Sequence, residues 1–479
     1  MRNLLKVGLL VGALAILAAV SVFVWGAPRV LEVLPADGSE GVPARAQVKI
    51  TFSQPLDSAA TEARLSFDPP IEGAYTWEGS QLIFTPEQAW LAGGTVRVRL
   101  EAGAPARSFP WLRLREEGAW SFSIRLPQIL YLFPAVGSAN LYRYDPVRAQ
   151  SAPLTGFEAG VLDFTVDGAG QAVYLSVRRG AEGSVIYRMD LSTEVVTSDN
   201  TGKGSGSQAA ADFQVVYECE QAICSELALE PAGRYLAYER RALPGGAGSQ
   251  APQVWVLPLQ PADGEPAFLA GLADHQTILP AWSSRGVLAV YDRDASAYLF
   301  SEPGKGVQAR FPNRTGEQGA WRPDGEAFLA PEIIYLGANI SPELSGLESL
   351  ADSHLILFFL HSEKTQDLTP GEGIEDTAPA YSKDGNFLAF ARKYLDVQNW
   401  TPGRQLWIAQ AVSREARQMT DVAVYNHFDF AWNPASDQLV YVRFDQSALS
   451  QPPEIWLLDL ASNQSTSLIQ GGFSPQWAP

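Results

Sequence analysis

Four histidines, two cysteines and a scatter of carboxylates are the side chains of this 479-residue chain that could hold a metal, move a proton or attack a substrate. His354 and His361 bracket the apolar run Leu355-Ile356-Leu357-Phe358-Phe359-Leu360. On a strand, an offset of seven puts the two rings on opposite faces and roughly 20 Å apart, so they cannot share a metal. His275 and His427 each precede an apolar strand, as do Glu226, Gln318 and Asp376. If those strands are copies of one unit, these five side chains gather at one end of a common axis, a candidate ring for a small ligand or an ion. The plainer reading is five ordinary loop polars. Cys219 and Cys224 read as a disulfide pinning a small loop, provided the chain works outside the cytoplasm. Their spacing is not C-x-x-C, and zinc would need more ligands than this stretch supplies. Asp292 and Asp294 are a fragment of a calcium loop at best, since such a loop needs five or more ordered oxygen ligands. The chain has no G-x-S-x-G, no G-x-x-x-x-G-K-[ST] and no H-E-x-x-H. No catalytic residue, metal or cofactor is therefore assigned.

The element that must position these residues is a repeated hairpin. Its clearest copy is Ala380-Tyr381-Ser382-Lys383-Asp384-Gly385-Asn386-Phe387-Leu388-Ala389-Phe390, a strand, an Asp-Gly turn and a second strand. Aligned on the turn, the other copies begin at Asp163 (through Gly168), Leu227 (through Gly233), Ala281 (through Gly286), Ala320 (through Gly325) and Ala431 (through Asp437). A third strand follows, as in Gln405-Leu406-Trp407-Ile408-Ala409 and Glu454-Ile455-Trp456-Leu457-Leu458-Asp459, then a short fourth. Four short β-branched and aromatic strands bounded by Gly, Pro and Asp describe one blade of a propeller. Residues 128–155 supply three strands without a first, and residues 473–479 supply a first strand with nothing after it. Joining them completes one blade and removes two sheet edges that would invite aggregation. Six full units and this composite give an expected seven blades. Trp282, Trp321, Trp432 and Trp477 share one repeat position and read as packing between blades.

These residues resemble the TolB-type (PD40/WD40-like) propeller repeat, with a consensus close to P-x-W-S-P-D-G-x-x-I-A-F. Pro379 to Phe390 is the best copy, and Trp321-Arg322-Pro323-Asp324-Gly325 comes next. The resemblance covers about residues 128–479 and implies fold far more than function, because one fold hosts many activities.

Two segments precede the propeller. Residues 7–25 carry no charge, and as a helix these 19 residues would span about 28 Å, enough for a hydrocarbon core. Residues 1–27 are read as an uncleaved membrane anchor, with Arg2 and Lys6 keeping the N-terminus cytoplasmic; cleavage as a signal segment is the alternative. Residues 28–127 show short alternating strands such as Val48-Lys49-Ile50-Thr51-Phe52 and Thr95-Val96-Arg97-Val98-Arg99-Leu100, which suggest a β-sandwich without helix. Leu34-Pro35-Ala36-Asp37-Gly38, Ile50-Thr51-Phe52-Ser53-Gln54-Pro55-Leu56-Asp57 and Phe84-Thr85-Pro86 resemble the bacterial Ig-like domain of the SbsA type, which implies a spacer or adhesion module. Residues 107–117 are atypical and read as an inserted loop. Within the propeller, 198–211, 338–353 and 395–404 read as long loops.

The expected whole is thus all-β after its anchor: an Ig-like sandwich, then a seven-bladed propeller closed by its terminal strands. The balance of 35 basic and 53 acidic residues, −18, argues against nucleic acid, which rewards clustered Lys and Arg. The expected function is non-catalytic. The propeller presents a binding face to an envelope protein or cell-wall polymer on the outer side of a bacterial membrane. Two rivals stand beside it: a propeller lyase or glycosidase with its site at the channel mouth, and a purely architectural component. A prolyl oligopeptidase-like enzyme would need an α/β-hydrolase half, for which no sequence remains.

Overall fold

The computed structural model describes residues 26–88, 90–191, 213–246, 250–259, 267–268, 274–335, 351–396 and 398–478. The expected anchor helix, the loop 198–211 and most of the loop 338–353 lie outside the described residues. Among the described residues, no helix is long and apolar enough to cross a membrane. The chain divides into two compact units, Met1–Leu126 and Pro127–Ala478.

The first unit is two four-stranded sheets. One pairs Val30–Leu34, Val48–Phe52, Gln81–Pro86 and Gly73–Glu78 in that order, and the other pairs Ser39–Val42, Gly118–Ile124, Thr95–Leu100 and Leu65–Asp68. Alternation in sequence becomes alternation in burial: Val96, Val98 and Leu100 point inward while Thr95, Arg97 and Arg99 face solvent. Ile50, Phe52, Leu82, Phe84, Trp90 and Phe122 fill the core. A helix does occur, Ser58–Glu62, where the sequence suggested none. Asp57 caps it, accepting the Ala60 N–H at 2.9 Å, and is the local sequence signal for this helix. The stretch 107–117 is not a loose insert either, since Leu112 and Leu114 are buried and pair back onto Ala104 and Ala106.

The second unit is built from four-stranded antiparallel sheets, each meandering outward from its first strand. Val161–Val166, Ala222–Leu229, Thr277–Trp282 and Tyr425–Trp432 each open one. Ala320–Trp321 and Ile374–Tyr381 open two more that share one eight-stranded sheet, joined through the parallel pair Ser353 and Glu375. Phe473–Ala478 completes the sheet of Gln128–Phe133, Asn140–Asp145 and Gln150–Pro153, with Trp477 opposite Ile129 and Ala478 opposite Gln128. The opening strands touch one another in chain order, and Phe473–Ala478 contacts both Tyr425–Trp432 and Val161–Val166, which closes the circle. The terminal strands therefore meet as expected. Second strands are buried on both faces, as in Ala172–Arg178 and Leu288–Asp292, so they read as continuous apolar runs.

The four repeat tryptophans pack between sheets and also bond across them. Their indole Nε1–H groups donate to the preceding sheet's first strand: Trp282 to Ala228 O (3.0 Å), Trp321 to Ala281 O (2.9 Å), Trp432 to Ala380 O (2.9 Å) and Trp477 to Ala431 O (3.0 Å). The first copy needs a correction. Its turn is closed by Gly170, which donates to Asp167 O at 3.0 Å and has φ 64°, so the repeat is set there and not on Gly168. A second glycine in the same turn misled the alignment by two residues.

Candidate functional site

Six of the seven opening strands of the ring have a register shift before their hairpin turn, Ala320–Trp321 being the exception. At five of these bulges the extra residue is not glycine yet has positive φ: Glu226 (51°), Leu279 (57°), Ala378 (51°), Asp429 (50°) and Ser474 (49°). Left-handed backbone at a non-glycine residue is costly, and bulges of this kind re-aim a side chain. Counting back three from the tryptophan position of each repeat gives the full set: Asp163, Glu226, Leu279, Gln318, Ala378, Asp429 and Ser474.

A cavity of about 310 Å³ sits inside the circle. Six of those seven residues line it, and Pro280 stands in for its neighbour Leu279. Among the described lining residues are three carboxyls, Asp163, Glu226 and Asp429, and no basic side chain. Glu239 lies behind the wall, buried, and accepts the Leu279 N–H at 2.8 Å. Asp163 accepts the Leu227 N–H at 2.5 Å, and Asp429 accepts the Ser474 N–H. In each case a carboxyl from one sheet holds the opening strand of the next.

Crowding four acids in one place changes their titration. Burial, then the charge of Glu226, pushes Asp163 up to about 7. Burial, opposed by the Leu279 hydrogen bond and reinforced by Glu226, pushes Glu239 up to about 7. Asp429 rises to about 6 from burial and the Glu226 charge, and burial raises Glu226 itself. The cavity is therefore anionic at alkaline pH and takes up protons near neutrality.

Of the five sequence candidates, Glu226 and Gln318 line the cavity; His275, Asp376 and His427 do not. Asp376 is fully buried in a bidentate pair with Arg392, both contacts at 2.7 Å, and Arg392 lies over Phe390 and Trp407. His427 is buried, and its Nδ1–H donates to Arg404 O at 2.8 Å. Burial pushes its pKa down to about 4, and Nε2 has no partner among the described residues. Both residues belong to their strands, paired opposite Arg392 and Arg443 two residues before the bulge. Treating them as loop residues put them at the channel. His275 stands elsewhere, beside Asp292 at 2.6 Å and near Asp294, the ligand atoms of the three lying within 4.8 Å. Those aspartates already serve the backbone, accepting from Ala295 and Gln276. His354 is satisfied too, bonded to Asp367 and Gly371 O. Asp429 stands three residues before the tryptophan position, and Asp163 takes the same place once the first repeat is set on Gly170.

Cys219 and Cys224 are disulfide-bonded. The bond does more than pin a loop. Cys219 lies in the outer strand Phe213–Glu220 and Cys224 in the next sheet's opening strand Ala222–Leu229, both buried in one apolar cluster.

Residues 26–123 match the family model of the bacterial Ig-like domain, so the first unit is a domain of that kind. No curated protein is recognisably similar to the chain. Solved structures similar to it include a putative TolB from Agrobacterium tumefaciens (14% identity, 72% of this chain and 91% of that one, TM-score 0.37). TolB from Acinetobacter baumannii is another (11%, 82% and 81%, TM-score 0.41). An oligogalacturonate lyase from Vibrio parahaemolyticus is also among them (12%, 69% and 91%, TM-score 0.44).

Proposed function

We propose that this chain is a binding protein of the bacterial cell envelope. Residues 1–27 anchor it in the membrane with the bulk outside, the Ig-like domain follows, and the second unit is a seven-bladed propeller. The propeller receives a cationic group of an envelope protein or a cell-wall polymer at its acid-lined channel. The observation that carries this reading is the convergence of Asp163, Glu226 and Asp429 on one cavity whose described lining has no base. Such a cavity focuses negative potential on whatever approaches the ring. The test is a pull-down from crosslinked envelopes with the native chain and with the combined Asp163→Asn, Glu226→Gln and Asp429→Asn variant. A specific partner recovered by the native chain, and lost in the variant or at high salt, is the expected result. Recovering nothing specific, or recovering the same partner equally with both, refutes the reading.

One observation favours a second reading. A carboxyl near pH 7 beside other ionisable carboxyls is what general acid–base chemistry on a glycan would use. An enzyme of that kind would release product from an acidic or neutral polysaccharide and lose the activity in Asp163→Asn.

A further inference from the structure

The segment with the atypical sequence in the Ig-like domain has a physical shape that its fold does not need. Residues 103–114 form a narrow hairpin: Gly103 donates to Leu114 O, Leu114 to Ala104 O, Ala106 to Leu112 O and Leu112 to Phe109 O, all at 2.7–2.8 Å. Ala104, Ala106, Leu112 and Leu114 are buried and fasten the hairpin to the domain core. Its tip is the opposite. Arg107, Ser108, Phe109, Pro110 and Trp111 are five consecutive exposed residues. Phe109 and Trp111 are 48% and 66% exposed, and their rings meet edge to face at 5.4 Å. Two large aromatics held out on a firmly rooted tip leave apolar area in water that a partner could cover.

The charge around them is equally distinctive. Residues 107–115 hold three arginines and no acid, in a chain whose net charge is −18. Arg107 and Arg113 are exposed, two residues before Phe109 and two after Trp111. Two acids follow at the hairpin's far end, Glu116, which is exposed, and Glu117, which Arg99 engages at 3.2 Å. Aromatic rings with adjacent arginines match the boundary of an anionic bilayer, where the rings sit at headgroup level and each cation meets lipid phosphate.

The position of the tip selects the same partner. Gly26 is the residue at which the uncharged run 7–25 enters the domain. Its carbonyl accepts from Gln54 Nε2 at 2.7 Å, and the carbonyl of the next residue, Pro55, accepts the Arg107 N–H at 2.9 Å. Two hydrogen bonds and one peptide unit of about 3.8 Å therefore link the root of the tip to the start of the domain.

We propose that the tip formed by residues 107–111 is a membrane-docking foot. Phe109 and Trp111 enter the interface of an anionic bilayer, Arg107 and Arg113 bind its headgroups, and the Ig-like domain is thereby held against the membrane that the N-terminal segment enters. The inference rests on the anchor reading above, and the experiment separates the two. Both native cysteines are in the disulfide, so Ser108→Cys accepts a polarity-sensitive dye at the tip alone. The full chain is reconstituted with vesicles of phosphatidylcholine, with or without phosphatidylglycerol. Flotation with the vesicles reads the anchor, and dye emission reads the foot. Docking gives a blue shift with phosphatidylglycerol that fades in salt. Arg107→Ser with Arg113→Ser lowers the docked-to-free ratio roughly thirtyfold. Phe109→Ser with Trp111→Ser, read with the same dye, abolishes the shift. A chain that floats without a shift, a shift equal in phosphatidylcholine alone, or one appearing only when envelope proteins are added overturns the foot. A chain that does not float refutes the anchor and overturns the docking with it, since so small a tip has no hold on a membrane it is not tethered to.

Discussion

Replacing Asp163 by Asn isolates the energetic consequence of crowding acids around the channel. Asn keeps a carbonyl oxygen for the Leu227 N–H and removes the charge. In the native chain the Asp163 carboxyl titrates near 7, whereas an unfolded aspartate titrates at 3.8. Because the folded value is the higher, the fold carries no penalty below pH 3.8. It loses stability as pH rises from there through about 7, where the unfolded chain has already released its proton. At about 1.36 kcal/mol per pH unit, the full difference corresponds to ~4 kcal/mol. Cavity water screens a half-buried group, so about 2 kcal/mol is the working figure. Asp163→Asn should therefore stabilise the propeller by about 2 kcal/mol at pH 8.5 and change little at pH 4. The assay is urea unfolding followed by tryptophan fluorescence, with native and variant compared at each pH so that other titrating groups cancel. A variant that destabilises equally at both pH values, or that leaves the alkaline stability unchanged, refutes the argument that these carboxyls share one low-dielectric site.

His427 sets the opposite limb. Its folded pKa, near 4, lies below the ordinary 6.5, so stability is complete above pH 6.5 and falls by ~3 kcal/mol as pH drops toward 4; His427→Gln should flatten that limb in urea unfolding between pH 7 and 4.5. Trp432→Phe keeps a ring in place but leaves the Ala380 carbonyl without its donor, at a cost of about 1–3 kcal/mol in the same assay.

Much of the architecture was open to inspection in the sequence. The Asp-Gly turns, the apolar second strands and the missing first strand near residue 128 identify a repeated unit that closes on its own C-terminus, because turn chemistry and strand patterning are local properties. Alternation in 95–100 likewise reports a half-buried sheet. Local signals also misled: the doubled glycine at 168 and 170 shifted one copy, and the capping Asp57 went unread. The site was legible only in part. Glu226 and Gln318 line the cavity, whereas His275, Asp376 and His427, which share with them only a place near the start of a strand, do not.

What the chain's sequence determines by itself is the repeated unit and the kinship of residues 26–123. Which side chains face the axis was decided only by the tertiary structure. A bulge at Glu226, Ala378, Asp429 and Ser474 breaks the two-residue period on which any reading of strand faces depends. The carboxyls perturb one another only because the ring gathers Asp163 and Asp429 around Glu226, across distances in sequence that no local pattern spans.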